Sequence, residues 1–305
     1  MEDNLFQLHE ELRNRTYTHH SYHAFYVRDP KLRHIHKAVV RDRVVHQAIF
    51  RVLYPVFDRS FIFDSYSCRM HKGTHRGVTR LEQFLRKVSK NYAAHCFALK
   101  CDVRKFFDSI DHNILLELID RKVDDDGARW LIRRIIKSFE KSDDKGLPLG
   151  NVTSQLFANI YLNELDQFVK HTLKEKHYVR YCDDFIIVSH DKSHLKRLVS
   201  PLTDFLRDSL LLALHPQKIF LRKYSQGIDF LGYVILPHYR IVRTRTRRRI
   251  LKKIRESKLE IVRGALTKDS FEQSVQSYFG VLGHCKGFKV KKAIEALINA
   301  DFKLE

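Results

Sequence analysis

Tyr178-Val179-Arg180-Tyr181-Cys182-Asp183-Asp184-Phe185-Ile186-Ile187-Val188 sets two adjacent carboxylates between short runs of β-branched and aromatic residues. Such runs favour strands and the acids between them favour a tight turn, so the segment reads as a β-hairpin with the acid pair at its tip. A turn of this kind holds two acids side by side and concentrates negative charge. Mg2+ demands oxygen ligands and keeps several waters, so it fits between such a turn and a phosphate. Paired Asp residues are also plain turn formers. The chain supplies its own comparison: Asp124-Asp125-Asp126 and Asp143-Asp144 lie in polar surroundings and read as solvated turns, whereas the 183–184 pair is embedded in an apolar hairpin.

A third acid joins them. Cys96-Phe97-Ala98-Leu99-Lys100-Cys101-Asp102-Val103 carries apolar residues at alternate positions from 97 to 103, the period of a strand, and places Asp102 near its end. Arg104-Lys105-Phe106-Phe107-Asp108-Ser109-Ile110-Asp111 follows, with Asp111 as the expected N-cap of a helix containing Ile114, Leu115, Leu118 and Ile119. An acid at the end of a core strand has its position set by the sheet. Phosphoryl transfer by two metals ~4 Å apart needs acids so fixed, because they bridge both ions. Asp102, Asp183 and Asp184 would supply that set. Asp108 and Asp111 have the weaker claim, since a helix start recruits acids for its dipole.

A chain of 305 residues with 44% apolar content has enough material for a large core and is not disordered. Its 56 Lys and Arg against 36 Asp and Glu give a net charge of +20, which points to a polyanionic partner such as nucleic acid. An anionic membrane is the competing partner. It is disfavoured, because no stretch approaches the ~20 apolar residues of a spanning helix and no secretory signal opens the chain. The cysteines at 68, 96, 101, 182 and 285 form no CxxC pair, and their odd number suits small core residues in a reducing compartment. His19, His20 and His23 cluster without a Cys or carboxylate at ligand spacing, so polar contact with RNA is the expectation there rather than a metal.

Residues 38–57 predict a helix ended by Pro55, with Val39, Val40, Val44, Val45, Ile49, Val52 and Leu53 as its apolar positions. Val78, Leu81, Leu85 and Val88 predict another over 78–88. From 96 to 235 the order is strand, helix, loop, helix, hairpin, helix, strands, which fits an α+β sheet backed by helices. A helix should follow the loop at 147–155, and another should span about 193–212. The last segment is helical and basic: Arg243, Arg245, Arg247, Arg248, Arg249, Lys252, Lys253 and Arg255 gather with few acids between them. So many cations repel one another unless phosphates lie against them, although a solvated charged helix face has the same composition.

Together these motifs resemble those of a reverse transcriptase, in the family's order and along nearly the whole chain. The Asp102 strand is similar to the family's first catalytic motif and Tyr181-Cys182-Asp183-Asp184 to its second. Leu147-Pro148-Leu149-Gly150-Asn151-Val152-Thr153-Ser154-Gln155 stands where the nucleotide-pocket loop should be, and Phe230-Leu231-Gly232-Tyr233 resembles the primer-gripping hairpin. Group II intron and retron enzymes usually open that loop with Gln-Gly and close it with Ser-Pro. Here Leu149-Gly150 and Ser154-Gln155 replace them, which is the mark of diversity-generating retroelements. The compact length and the segment Asp64-Ser65-Tyr66-Ser67-Cys68-Arg69-Met70-His71-Lys72-Gly73-Thr74-His75 are also similar to theirs.

The resemblance implies a right-hand polymerase fold, with fingers at 1–95, a palm at 96–235 and a helical basic thumb at 236–305. It implies two Mg2+ ions on Asp102, Asp183 and Asp184, with the Val103 carbonyl as a further ligand. Arg69, Lys72 and Arg76 would meet the dNTP triphosphate, beside a pocket loop represented by Leu149, Gly150 and Gln155. Phe107 would exclude a ribose 2′-hydroxyl, and Lys218 would protonate pyrophosphate. The thumb cations would hold the RNA/DNA primer duplex on its template RNA by the backbone. The implied product is a cDNA, copied with errors concentrated at template adenines, that replaces a variable coding region. The implied partners are the retroelement's structured RNA and a small helical-bundle accessory protein. The implied setting is the cytoplasm of a bacterium or archaeon, or a phage-encoded protein. A group II intron-like or defence-associated reverse transcriptase, and an RNA-binding relative without catalysis, are the alternatives.

Overall fold

The computed structural model describes residues 2–28 and 31–299. It begins with α1 (Glu2–Arg13) and an antiparallel ribbon of β1 (His23–Val27) and β2 (Arg33–Lys37), then α2 (Val40–Asp58) and α3 (Thr74–Val88). Next come β3 (Phe97–Asp102), the single turn α4 (Phe106–Ser109), α5 (His112–Asp120), α6 (Asp126–Ile136) and α7 (Val152–Gln167). The hairpin of β4 (Tyr178–Tyr181) and β5 (Asp184–Ser189) leads to α8 (Lys192–Arg197) and α9 (Val199–Leu210). Four short strands follow: β6 (Phe220–Lys223), β7 (Ile228–Phe230), β8 (Tyr233–Leu236) and β9 (Tyr239–Val242). Then come α10 (Thr244–Val262), α11 (Lys268–Gly283) and α12 (Phe288–Asn299). The mixture is α+β, as the alternation of patterns predicted. No helix among the described residues is long and apolar enough to cross a membrane.

By contact, the chain divides into two compact units. The first comprises Met1–Gly73, Leu99–Ile187 and Ser193–Phe220; the second comprises Thr74–Ala98, Val188–Lys192 and Leu221–Glu305. A four-stranded sheet has the order β4-β5-β3-β6. In the first unit α7 is the central helix and packs against α2, α5 and α9. It is buried almost all round, as a helix with apolar residues on every face must be. In the second unit β7, β8 and β9 form an antiparallel meander. There α10, α11 and α12 pack on one another around Ile250, Ile254, Phe271, Val275, Leu282 and Ile294.

Several local expectations meet the structure directly. Asp111 caps α5, its side chain accepting from the N–H groups of Asn113 and Ile114. In α3 the positions 78, 81 and 85 are buried. Other expectations are corrected. Pro55 does not end α2, which continues to Asp58. An interior proline costs ~3 kcal/mol, but Leu53, Tyr54 and Phe57 are buried on either side and hold the last turn in place. Val39 precedes the helix, which leaves Val40, Val44 and Val52 exposed, so its core face is the narrower stripe Val45, Ile49 and Leu53. The helix expected over 193–212 is two. Pro201 lies in the first turn of α9, where the missing N–H costs nothing, and the break falls at Leu198. The 147–155 loop ends early, because α7 already begins at Val152. All five cysteines are free, but Cys68 is exposed rather than a core residue.

Candidate active site

Strand β3 buries Ala98, Leu99 and Cys101 and delivers Asp102, half-buried, at its end. The chain beyond it is fixed on two sides. The Val103 N–H donates to the Asp183 carbonyl at 3.2 Å, and the His215 N–H donates to the Asp102 carbonyl at 2.8 Å. These bonds set the end of β3 beside the acid turn and beside the loop after α9. The β4–β5 hairpin pairs Tyr181 with Asp184. Cys182 and Asp183 are therefore the two-residue loop, and Asp184 is already the first residue of β5. Cys182 adopts the left-handed conformation, φ 55, that such loops require at their first position.

Burial of the acids has electrostatic consequences. Asp184 is pushed up to about 6, first by burial and then by Asp183 and Asp102, while Lys100 pulls it down. Burial followed by Asp102 also raises Asp183. The three acids thus feel one another as like charges. Lys100 Nζ lies 2.9 Å from Asp184 Oδ2, and Lys218 Nζ lies 2.6 Å from Asp102 Oδ1. Asp184 Oδ1 is buried and accepts no hydrogen bond. Among the described residues no group of three or more His, Cys, Asp or Glu side chains is arranged to hold a metal ion by itself. A hard cation that keeps its waters and borrows phosphate oxygens needs no such group. Oxygen donors, mutual repulsion and an unpartnered buried oxygen fit Mg2+, the ion expected there.

Under the turn sits a fully buried ion pair. Arg180 grips Asp166 of α7 with two parallel hydrogen bonds, Nε to Oδ1 at 2.7 Å and Nη2 to Oδ2 at 2.6 Å. Tyr178 also donates to Asp166 Oδ1, at 2.7 Å. Neither this pair nor Lys100 was expected from the sequence. The signal for Lys100 was present, since it precedes Asp102 by two positions and so shares its face of β3. Nothing in the chain's local pattern joins 166 to 180.

The pocket loop is tied down from outside. Its Leu149 carbonyl accepts from the His36 N–H at 2.8 Å, and Asn151 bonds the backbone at Ala38 and His36 at 3.1 and 2.8 Å. Gly150, at φ 113, lies so close to β2 that a Cβ there would stand 2.8 Å from Ile35 Cγ2. Leu149 is half-buried, and Gln155 is exposed on α7. The Leu147 N–H donates to the Phe107 carbonyl at 2.8 Å, so Phe107 and this loop share one neighbourhood. Phe106 is the core ring, and Phe107 is half-buried.

Two of the cations expected at the triphosphate make contacts within the protein. Arg69 donates to Asp58 Oδ1 and to the Ile62 and Ser65 carbonyls, at 2.7, 2.7 and 3.1 Å. Lys72 Nζ lies 3.5 Å from the Phe63 ring centre and donates to the Phe63 carbonyl. Arg76 stands in the first turn of α3, in the second unit. Of the basic series, Arg243 precedes α10 and pairs with Asp229, while Lys252 pairs with Glu256 at 3.6 Å. Arg245, Arg247, Arg248, Lys252 and Lys253 are exposed on α10, with Arg249 half-buried.

His19 and His20 gain in space a carboxylate that their sequence neighbourhood lacks. Asp42 is fully buried and accepts from the Tyr17 hydroxyl and the His20 N–H, both at 2.9 Å. His19 Nδ1 lies 3.6 Å from Asp42 Oδ2, and His19 Nε2 meets His46 Nε2 at 3.0 Å. His46 Nδ1 meets the Thr153 hydroxyl at 3.2 Å, in the first turn of α7. Burial pushes His46 down to about 4 and lowers His19 as well. Asp42 is raised by burial, but the His20 N–H, the Tyr17 hydroxyl and His19 outweigh that and hold it low.

Residues 28–235 match the family model described as reverse transcriptase (RNA-dependent DNA polymerase). Protein YkfC of Escherichia coli (strain K12) is 24% identical, over 71% of this chain and 65% of its own length. The group II intron-encoded protein LtrA of Lactococcus lactis subsp. cremoris is 24% identical, over 77% of this chain and 50% of its own. The chain thus spans 65% and 50% of the length of these two relatives. Among solved structures, apo telomerase from Candida tropicalis superposes with a TM-score of 0.59 at 12% identity, covering 92% of this chain and 57% of that one. That likeness shows the right-hand polymerase fold.

Proposed function

The chain belongs to the reverse transcriptase family, and from that premise we propose that it is an RNA-directed DNA polymerase that extends a primer on a template RNA. The observation that carries the reading is the Val103–Asp183 backbone bond, which brings the Asp102 strand end to the acid turn. Two Mg2+ held by Asp102, Asp183 and Asp184, with the Val103 carbonyl, would acidify the primer 3′-hydroxyl and offset charge on departing pyrophosphate. The chain's own residues do the positioning. Phe107 excludes the ribose 2′-hydroxyl, and Leu149, Gly150 and Gln155 shape the pocket. Lys218, beside Asp102, is within reach to give pyrophosphate a proton. Lys72 meets the triphosphate, and Arg69 shapes the loop that presents it. The cations of α10 hold the primer duplex by its phosphates, as a thumb does; along the chain the fingers are 1–95, the palm 96–235 and the thumb 236–305.

Within the family, the diversity-generating subclass is the reading favoured by Leu149-Gly150 and Ser154-Gln155. It brings with it an error-prone cDNA, a structured retroelement RNA, a helical accessory protein and a cytoplasmic bacterial, archaeal or phage setting. The likeness to LtrA favours a second reading, a group II intron-like enzyme. Template and variable repeats in the DNA flanking the gene distinguish the two. The activity is tested by Mg2+-dependent primer extension on RNA. Asp183→Asn and Asp102→Asn should each lower the rate by about 10³-fold or more, while template–primer affinity stays within about twofold. Near-wild-type extension by either variant would sink the assignment.

A further inference from the structure

Arg180 is buried without any exposed surface, three residues before the turn acid Asp183. Its guanidinium makes four hydrogen bonds. Two go to Asp166, itself fully buried on α7. The remaining nitrogen, Nη1, donates to Asn159 Oδ1 and to the Cys182 carbonyl, each at 3.2 Å. The Asn159 amide in turn donates to the Ser67 carbonyl at 2.9 Å. The Arg180 backbone exchanges bonds with Asp64 and Tyr66, at 3.0 and 2.9 Å. One residue therefore joins α7, the segment 64–67 and the acid turn.

Stability does not account for this arrangement. Desolvating two charges costs about what their attraction returns, and apolar replacements of equal volume are often as stable. What an apolar pair cannot supply is a donor to the Cys182 carbonyl. That carbonyl belongs to a non-glycine residue in the left-handed region, a conformation that costs roughly 1–2 kcal/mol and persists only when its surroundings impose it. We propose that Arg180, oriented by Asp166, is a positioning residue that holds the Cys182 carbonyl and thereby the turn that places Asp183. The inference rests on the proposed role of Asp183. A lysine could not replace Arg180, since one ammonium cannot span Asp166 and the Cys182 carbonyl as the planar fork does.

The test compares Arg180→Lys, the pair Arg180→Met with Asp166→Leu in a Tyr178→Phe background that removes the hydroxyl Asp166 accepts from, and Asp183→Asn, with wild type and Tyr178→Phe as references. For each, single-turnover extension on RNA, half-saturating Mg2+, template–primer affinity and melting temperature are measured. The apolar pair should melt near wild type yet extend about 10- to 100-fold more slowly and need several-fold more Mg2+, because the acid is displaced rather than lost. Arg180→Lys should be slowed alike with template–primer affinity unchanged. Adding Cys182→Gly to it should recover part of the rate, since glycine takes the left-handed conformation without help. An apolar pair with wild-type rate and Mg2+ requirement would overturn the proposal, as would failure of both Arg180 variants to fold or no recovery with Cys182→Gly. An active Asp183→Asn protein would overturn the reading of the site itself, a separate outcome.

Discussion

Lys100 Nζ and Asp184 Oδ2 face each other at 2.9 Å from adjacent strands, β3 and β5, of one sheet. The lysine neutralises one oxygen of an acid whose other oxygen is buried and unpartnered. Replacing it by Met should strand the ionised carboxylate. Both partners keep about a fifth of their side-chain surface (17% and 21%), so the loss should be below that of a fully buried pair, about 2–3 kcal/mol at pH 8. Asp184 titrates above its unfolded value, at about 6, and without Lys100 it would move further up. The protonated acid needs no counter-ion, so the deficit should vanish as the pH falls below 5. Chemical denaturation of both proteins without Mg2+ at pH 5 and pH 8 measures it, and an equal deficit at both would refute it.

His46 gives the opposite sign. It titrates at about 4 when folded, against 6.5 for a free imidazole. Between those values the unfolded chain binds a proton that the folded chain refuses, so stability is complete above pH 6.5 and falls towards pH 4. The difference amounts to roughly 3 kcal/mol. His46→Asn, which keeps an acceptor or donor for Thr153 but no titration, should lose less stability over that window. Melting both proteins from pH 4 to 7.5 checks it, and parallel curves would count against it.

The exposed cations of α10 make a prediction about salt. If they lie on phosphates, the logarithm of template–primer affinity should fall linearly with the logarithm of salt concentration. Changing Arg245, Arg247 and Arg248 to Gln should reduce that slope by up to about 3, without altering sequence preference. An unchanged slope would leave them as a solvated face.

If Leu149 lines the nucleotide pocket as proposed, it bears on fidelity. An aliphatic side chain cannot penalise a misplaced nucleotide through an unsatisfied hydrogen bond, a penalty worth ~1–3 kcal/mol. Leu149→Gln should therefore lower misincorporation, most clearly opposite template adenines. Sequencing cDNA copied from a defined RNA by both enzymes reads the outcome. An active variant with the same error spectrum would show that selectivity resides elsewhere.

Much of this site was legible because its signals are local. Alternation over eight residues announces β3, and β-branched runs flanking two acids announce the hairpin. Asp111 caps its own helix, so the cap is written within four residues. The rest depends on pairs far apart in the chain. Nothing near Asp166 foretells Arg180, nor does His19 foretell His46, because buried polar partners are chosen by the packed fold. Asn151 read as a loop residue, yet its amide is spent on the β2 backbone. Pro55 misled for a related reason: buried neighbours override the local cost of proline.

Strand β3 is synthesised before every other strand of its sheet, and Lys218, the partner of Asp102, follows that acid by 116 residues. At ~5–20 residues per second a ribosome takes on the order of ten seconds to cover that distance. Until β5 emerges the nascent chain carries a finished strand with both edges open, and until β6 emerges one edge stays open, the state in which strands pair with the wrong neighbour. The centre of the sheet must wait for its own borders, so a chain interrupted before residue 220 exposes a sticky strand without a catalyst. The cell's chaperones and proteases would meet this protein at that moment of synthesis.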